Sequence, residues 1–365
     1  MAVTVLLAIG ASIGACGDHG ASPPSGATLN IYSWAAFIGP HTIANFERET
    51  GIKVRYDTFE SDEMLEAKLL AGHTNYDVVV PSDLFFERDV RVGILRPLDR
   101  AALPNVAGLD PDLMRALATH DPGNRYGIPY LWSTTGIAYN VPEVRKRLGS
   151  GEFDSWSLLL DPRNAAKLKD CGISVIDSPT DVIASVLMYL GKDPNSRDLD
   201  EITAAADVLM KLRPYVRSIV SVGNIVALAN GNVCAVLGWS GDMAQARYRA
   251  LEAGNGVEIR YFIPREGGVV SMNTMAIPAD APHPQNAQKW LNYLMRPDVI
   301  AEVTNEVKFP NAVPAALEHV DEQLRTDPAV YPDGETRKRM HALSLMPPDF
   351  ARRVTRLWVR FRTGR

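Results

Sequence analysis

The sequence contains few residues of the kinds that bind metals or nucleic acids. Its 365 residues include only three cysteines and seven histidines, and no CxxC or HxxxH pair occurs. The formal net charge is −5, and no lysine-rich run opposes it. Nucleic-acid-binding domains carry a basic face, and structural zinc sites need clustered thiolates and imidazoles. We therefore expect no nucleic-acid partner, no metal and no cofactor.

The sequence motifs of common enzyme classes are also missing. Gly238-Trp-Ser-Gly-Asp242 breaks the GxSxG pattern of hydrolases at its last position. No Walker loop or dinucleotide fingerprint occurs, and Gly254-Asn-Gly256 is only a turn signal. The sequence thus favours a protein that binds its ligand without converting it.

No apolar run reaches the roughly 20 residues that a membrane-spanning helix needs. Residues 1–16 are small and apolar and predict an export signal. Ile13-Gly-Ala-Cys16 fits a bacterial lipobox, in which Cys16 becomes the lipidated N-terminus, although no Lys or Arg precedes the apolar run. A plain signal peptide with an incidental Cys16 is the alternative. Residues 17–28 predict a flexible tether, so we expect a periplasmic protein held to a bacterial membrane only by a lipid anchor.

The two other cysteines are Cys171 and Cys234. In an exported protein an even pair favours a disulfide, because the compartment is oxidising. Two buried free thiols are the alternative.

Strand and helix patterns alternate along the chain, which is long enough for two domains. From Leu29, strand-like runs alternate with helical patterns that begin at Ser61 and at Ser82. This order predicts an α/β sheet with right-handed crossovers. The apolar segment 127–140 predicts an extended passage from one domain to another, and a second α/β set follows it.

Two tryptophans mark the candidate binding site. Trp34 and Trp239 each end a strand-like run, and Asp242 follows the second one three residues later. A tryptophan face and a carboxylate suit a desolvated ammonium group. The carboxyl ends of the strands, where α/β sheets bind ligands, hold three further polar residues: Ser82, Asp83 and Asp181. Each residue alone also has a structural interpretation, as buried core for a tryptophan or as a helix-start residue for an aspartate.

The C-terminal run 351–365 holds six arginines and no acidic residue. Its apolar residues have helical spacing: Val354, Leu357, Trp358 and Phe361. We expect a terminal helix that docks by this face with its arginines in solvent. Contact with a membrane surface is the alternative.

Several segments resemble the periplasmic polyamine-binding proteins of ABC transporters, and among these most the putrescine-binding member. The resemblance runs from about Leu29 to the C-terminus. It rests on these segments: Asn45-Phe-Glu-Arg-Glu-Thr-Gly-Ile-Lys-Val, Val79-Val-Pro-Ser, Thr134-Thr-Gly-Ile-Ala-Tyr-Asn, Gly191-Lys-Asp-Pro-Asn-Ser, Leu237-Gly-Trp-Ser-Gly-Asp, Leu291-Asn-Tyr-Leu-Met-Arg-Pro-Asp-Val and Arg356-Leu-Trp.

The resemblance implies a two-lobed periplasmic binding protein of the class II type, with mixed sheets and the ligand between the lobes. We expect lobe 1 to hold residues 29–131 plus 252–297, and lobe 2 to hold residues 132–251 plus 298–365. The family also implies a Cys171–Cys234 disulfide, a monomer, a small cationic amine as ligand and an ABC permease in the inner membrane as partner.

The resemblance carries over only part of the ligand set. Trp34, Ser82, Trp239 and Asp242 match the family types, and Asp181 stands where the family has glutamate. Five positions depart from the family pattern: Ala35, Ala36 and Phe37 in place of Ser-Asp-Tyr, Ser271 in place of an aromatic residue, and Asn273 in place of a carboxylate. In addition, Phe309 replaces a tyrosine, and Asp83 is absent from the pattern.

The departures predict an altered ligand preference. Two of about four ammonium-facing carboxylates are replaced, and losing one partner of a buried charge pair costs about 2–5 kcal/mol, or about 30-fold to several-thousand-fold in affinity. Three explanations stay open: a different amine with one cationic head, a shifted pose in which Asp83 supplies a charge, or a weak sensor. An amine-sensing protein that signals to a membrane receptor is the alternative to an importer component.

Overall fold

The computed structural model describes residues 28–35, 37–221 and 223–365. The predicted signal peptide, lipobox and tether, with Cys16, lie outside the described residues except for Thr28, and so does Ala36. The strands are β1 (Thr28–Trp34), β2 (Lys53–Phe59), β3 (Val78–Val79), β4 (Gly127–Asn140), β5 (Ile173–Val175), β6 (Val216–Ile219), β7 (Ala235–Trp239), β8 (Ile259–Phe262), β9 (Gly268–Ala276) and β10 (Met340–Ala342).

The helices cover both faces of these strands. They are α1 (Thr42–Thr50), α2 (Asp62–Ala71), α3 (Asp83–Val92), α4 (Pro111–His120), α5 (Val141–Leu148), α6 (Ser157–Leu160), α7 (Pro162–Leu168), α8 (Pro179–Tyr189), α9 (Leu199–Leu212), α10 (Gly223–Ala229), α11 (Ser240–Ala253), α12 (Pro284–Leu294), α13 (Pro297–Val307), α14 (Glu322–Arg325), α15 (Gly334–Arg337) and α16 (Pro348–Thr363). Short 3₁₀ helices span Arg100–Ala102, Pro104–Gly108, Arg213–Tyr215 and Pro314–Glu318. In the described residues no helix is both long enough and apolar enough to cross a membrane.

The strands form one mixed sheet in the order β2-β1-β3-β9-β4-β7-β5-β6, with β10 beside β9 and β8 beside β4. Strand β1 is parallel to β2 and β3, and β5 is parallel to β6 and β7. Strands β4 and β9 run antiparallel to each other and connect these two parallel groups. We call the group of β1, β2 and β3 with its helices the first lobe, and the group of β5, β6 and β7 with its helices the second lobe. The predicted two-lobed mixed α/β fold is confirmed.

Strand β4 passes from one lobe to the other. Its residues up to Thr134 pair with β9, and from Thr135 onward they pair with β7. All of its residues are buried, which explains why its sequence is apolar with little period-2 alternation. This strand is the predicted passage between the domains.

Each lobe has its own hydrophobic core. The first core contains Leu29 of β1 and Phe46 of α1, together with α12, α13 and the following segment as far as Val330. The second core contains β5, α8, α9 and, from the C-terminal helix, Trp358 and Phe361. This packing favours placing residues 298–330 with the first lobe, whereas the predicted division assigned them to the second. The other predicted boundaries stay a prediction.

The local signals in the sequence explain where several helices begin and end. The Ser61 hydroxyl caps α2 by accepting a hydrogen bond from the amide of Met64.

In α16 the buried side is Phe350, Val354, Trp358 and Phe361, with Leu357 half-buried, whereas its arginines are exposed. The C-terminal run is therefore a helix docked by its apolar face, as predicted.

A disulfide joins Cys171 to Cys234 across a sequence separation of 63 residues. It links the segment after α7 to the residue preceding β7. The predicted bridge is present within the second lobe.

Candidate functional site

The predicted site residues lie at strand ends and helix starts, as the topology requires. Trp34 ends β1, and Asp83 begins α3 directly after Ser82. In the second lobe, Trp239 ends β7, while Asp181 and Asp242 lie in the first turns of α8 and α11. Because the strands within each lobe are parallel, these ends lie along one edge of each lobe's sheet.

The crossing strand brings the two edges together. Thr134 pairs with Val270 of β9, and the next residue, Thr135, pairs with Trp239 of β7. The Thr135 hydroxyl donates to a carboxylate oxygen of Asp181 at 2.7 Å. The first-lobe strand β9 and the second-lobe site residues are thus joined through two consecutive residues of β4.

Asp83 is buried, and both of its oxygens accept hydrogen bonds from within the protein. One accepts from the Ser271 hydroxyl at 3.2 Å, and the other accepts from the amide of Met272 at 3.3 Å. Burial raises its pKa to about 6; the nearby His120 opposes this rise, and the carboxylate of Asp181 adds to it. The hydrogen bonds of Asp83 to Ser271 and Met272 join the start of α3 to β9.

Asp181 is also buried and internally hydrogen-bonded. It accepts from Thr135 and from the hydroxyl of Ser178. Nothing in the sequence pattern indicates that these two hydroxyl groups contact Asp181. The sequence points to Thr135 only in that it lies within the Thr134-Thr segment of the family resemblance.

Asp242 differs from both of these carboxylates. It is half-buried, and no described residue donates a hydrogen bond to it or forms an ion pair with it. Burial raises its pKa to about 7. A carboxylate that is partly removed from water and has no internal partner is the strongest candidate in this region for binding a cation from outside.

Ser82 is held by a residue that the sequence did not indicate. Its hydroxyl donates to one oxygen of Asp62 at 2.6 Å, and its amide donates to the other oxygen at 2.9 Å. Burial raises the pKa of Asp62 to about 7, although the two hydrogen bonds oppose this rise. When Asp62 is ionised, the Ser82 hydroxyl proton points toward Asp62, so the oxygen lone pairs remain available to a donor.

Aromatic side chains line the same region. Trp34 is half-buried, and its indole nitrogen donates to the carbonyl of Val80 at 2.9 Å. The rings of Phe37 and Phe309 pack edge to face at 5.3 Å. A Cβ atom on Gly241 would lie 2.2 Å from the Phe309 ring, so this ring lies directly against the start of α11.

Asn273 faces the same edge of the first lobe. It forms an isolated antiparallel bridge with Ser82 and pairs with Leu131 of β4. The structure therefore brings Ser82, Asp83, Asn273 and Ser271 together, and it places Asp181, Trp239 and Asp242 at the strand-end edge of the second lobe. The predicted Ala36 position lies outside the described residues.

The described residues contain no group of three or more His, Cys, Asp or Glu side chains that could hold a metal ion. Helices α3, α8 and α11 each have an aspartate in the first turn, where the partial positive charge of the helix N-terminus favours a carboxylate. In the unliganded protein the first-turn aspartates supply that negative charge.

Comparison with known proteins identifies the family. The model of bacterial extracellular solute-binding proteins matches residues 41–332. The putrescine-binding periplasmic protein PotF of Escherichia coli (strain K12) is 47% identical over 340 residues, which cover 93% of this chain and 92% of PotF. A putrescine/agmatine-binding protein of Pseudomonas aeruginosa is 42% identical over 365 residues, which cover 100% of this chain and 98% of that protein.

A solved structure agrees with these sequences. The spermidine/putrescine ABC transporter substrate-binding protein PotD of Streptococcus pneumoniae superimposes with a TM-score of 0.81 at 27% sequence identity, covering 92% of this chain and 99% of that chain. The predicted family is therefore confirmed, and the chain belongs to the bacterial extracellular solute-binding proteins, among the periplasmic polyamine-binding members.

Proposed function

We propose that this protein binds a cationic amine of the polyamine class between its two lobes and delivers it to an ABC permease. The observation that carries the proposal is the Asp242 carboxylate, which lies three residues after the half-buried Trp239, is itself half-buried and has no partner in the part of the chain that the structure describes. An ammonium group would neutralise the carboxylate and lie against the indole face. Both interactions strengthen as the lobes exclude water.

The other candidate site residues contribute to amine binding in different ways in this proposal. Ser82 accepts a hydrogen bond from an ammonium donor, because its own proton is committed to Asp62. Asp83 and Asp181, whose oxygens are engaged inside the protein, supply negative potential at the cleft wall. Trp34, Phe37 and Phe309 provide apolar walls for the methylene chain of an amine.

The names of the relatives make putrescine the first ligand to test, followed by agmatine and spermidine. We propose a shifted preference relative to putrescine, toward an amine with one cationic head and a neutral or bulky second end. The support is Asn273, a neutral amide at a family carboxylate position, and Ser271, a small residue at a family aromatic position. A pose in which Asp83 faces the second ammonium is the competing arrangement, and it requires Asp83 to exchange its bonds to Ser271 and Met272.

The same proposal places the protein in the periplasm as a non-enzymatic partner of a permease. Similarity to a transporter substrate-binding protein favours import over amine sensing. Attachment through Cys16 stays a prediction, and so does a monomeric state. A Cys16→Ser variant should lose membrane attachment in fractionated cells while keeping ligand affinity.

Isothermal titration calorimetry with putrescine, agmatine and spermidine tests the proposal, after native mass spectrometry has looked for a co-purifying amine. Asp242→Asn should weaken amine binding by at least about 30-fold, the loss of one buried charge partner, and Trp239→Ala should weaken it comparably. The matched control is Asp207→Asn, an exposed carboxylate on α9, which should bind like the wild type. Unchanged affinity in Asp242→Asn would place the site elsewhere.

A further inference from the structure

Two apolar side chains that are close together on helix α3 pack against different lobes. Phe86 is fully buried among first-lobe residues such as Phe59 and Val79. Leu84, two positions earlier, packs instead against the core of the second lobe. Two residues correspond to about 200° of rotation on an α-helix, so the two side chains leave α3 on opposite sides. Leu84 therefore crosses between the lobes.

One face of α8 forms much of the surface around Leu84, together with Ile202, Leu343 and Met346. Leu84 shares a small pocket with four residues of that helix: Thr180, Ile183, Ala184 and Leu187. Their spacing of three, one and three residues is that of a single helical face. Ile183, Ala184 and Leu187 are almost completely buried. Separating the lobes at this point would return apolar surface on both sides to water.

This contact lies beside the candidate ligand site without being part of its polar surface. Leu84 directly follows Ser82 and Asp83, and the receiving face of α8 begins at Thr180, next to Asp181. An apolar contact at this place acts on lobe closure, whereas the carboxylates and the tryptophans act on the ligand.

We infer that Leu84 is a positioning residue that holds the two lobes closed by docking on the apolar face of α8. The inference rests on the proposed function in that the ligand lies between the lobes. What the inference adds to the proposed function is the contact between Leu84 and α8 that keeps the lobes closed. Loss of the contact opens the unliganded protein and speeds ligand release, and it affects all amines equally because Leu84 faces α8.

The test compares Leu84→Ala with Leu70→Ala, the same substitution at a leucine of the first lobe that is 59% exposed. Small-angle X-ray scattering of the unliganded proteins measures opening without any ligand, so it stays informative if no amine binds. We expect a larger radius of gyration for Leu84→Ala only. Stopped-flow measurements with putrescine should show release about tenfold faster in this variant, with the putrescine-to-agmatine affinity ratio unchanged.

Two further variants distinguish the loss of a specific closing contact from a general loss of structure. Leu84→Met keeps an apolar side chain of similar volume and should restore the compact form and slow release. Ile183→Ala removes the receiving side, and the double variant with Leu84→Ala should release putrescine no faster than the worse single variant. An unchanged radius of gyration in Leu84→Ala, or a changed amine ratio, would overturn the inference.

Discussion

The unpaired carboxylate of Asp242 predicts that amine binding depends on pH. Burial raises the pKa of this group to about 7 in the unliganded protein, so it is mostly neutral below that pH and mostly ionised above it. An ammonium ligand needs the ionised form. The apparent dissociation constant should therefore rise as the pH falls, by about tenfold between pH 8 and pH 6 for a single group with this pKa.

Calorimetry in buffers with different ionisation enthalpies gives a direct check. At pH 7 about half of the Asp242 side chains carry a proton, and ligand binding should release about half a proton per amine bound. At pH 8.5 the release should be close to zero. A heat of binding that does not depend on the buffer at pH 7 would refute the argument, because no proton would then be leaving the site.

Asp62 could produce a similar profile through its contact with Ser82, since its pKa is also raised to about 7. Asp83, whose pKa is raised to about 6, would add a dependence mainly below pH 7. The variant Asp62→Asn distinguishes titration of Asp242 from titration of Asp62. If Asp242 carries the effect, this variant still releases protons on binding amine, whereas Asp242→Asn retains only weak binding with little dependence on pH between 7 and 8. Loss of proton release in Asp62→Asn alone would assign the titration to the Ser82 contact.

Three other predictions concern stability and specificity. Asp242→Asn should raise the free energy of unfolding by about 1–3 kcal/mol at pH 8, because it removes a charge that burial disfavours; the gain should fade in urea melts as the pH falls toward about 3, below the ordinary aspartate pKa, where wild-type Asp242 is mostly neutral in both the folded and unfolded states. Replacing Cys171 and Cys234 by serine should lower the free energy of unfolding by about 2–5 kcal/mol, and thiol titration of the denatured, unreduced wild type should find no free thiol at either position. Ala36→Asp combined with Asn273→Asp should increase putrescine affinity by at least about tenfold, since each added carboxylate can pair an ammonium end, with a gain that shrinks only modestly as salt is added. Equal putrescine affinity in wild type and double variant would contradict our reading of the missing charges.

Much of the architecture follows from local sequence signals, such as glycines that end helices and aspartates in the first turns of helices. Gly51 and Gly72 end α1 and α2 with positive φ, a conformation that glycine adopts without strain. The first-turn aspartates Asp181 and Asp242 mark the starts of α8 and α11. Such signals act within one helical turn, so they can be read from neighbouring residues alone.

Burial within a helix was less predictable. The sequence of α2 offers Met64, Leu65, Leu69 and Leu70 as an apolar stripe, but only Leu65 and Leu69 are buried. Met64 and Leu70 are 51% and 59% exposed. The four residues span too wide an arc of the helix for one contact surface, and the position of the neighbouring sheet decides which pair is covered.

The sequence, through its resemblance to a known family, predicted the family, the two-lobed fold and the disulfide partners, and it placed the candidate site residues at strand ends and helix starts. The tertiary structure alone decided which of the second- and first-lobe candidate carboxylates Asp83, Asp181 and Asp242 has no partner among the described residues. Asp83 accepts from Ser271, 188 residues away in sequence, and Asp181 accepts from Thr135, 46 residues away. These contacts depend on strand order and register in the mixed sheet, which no local pattern specifies. That arrangement brings no donor from the described residues to Asp242, and the same arrangement carries Leu84 across to α8.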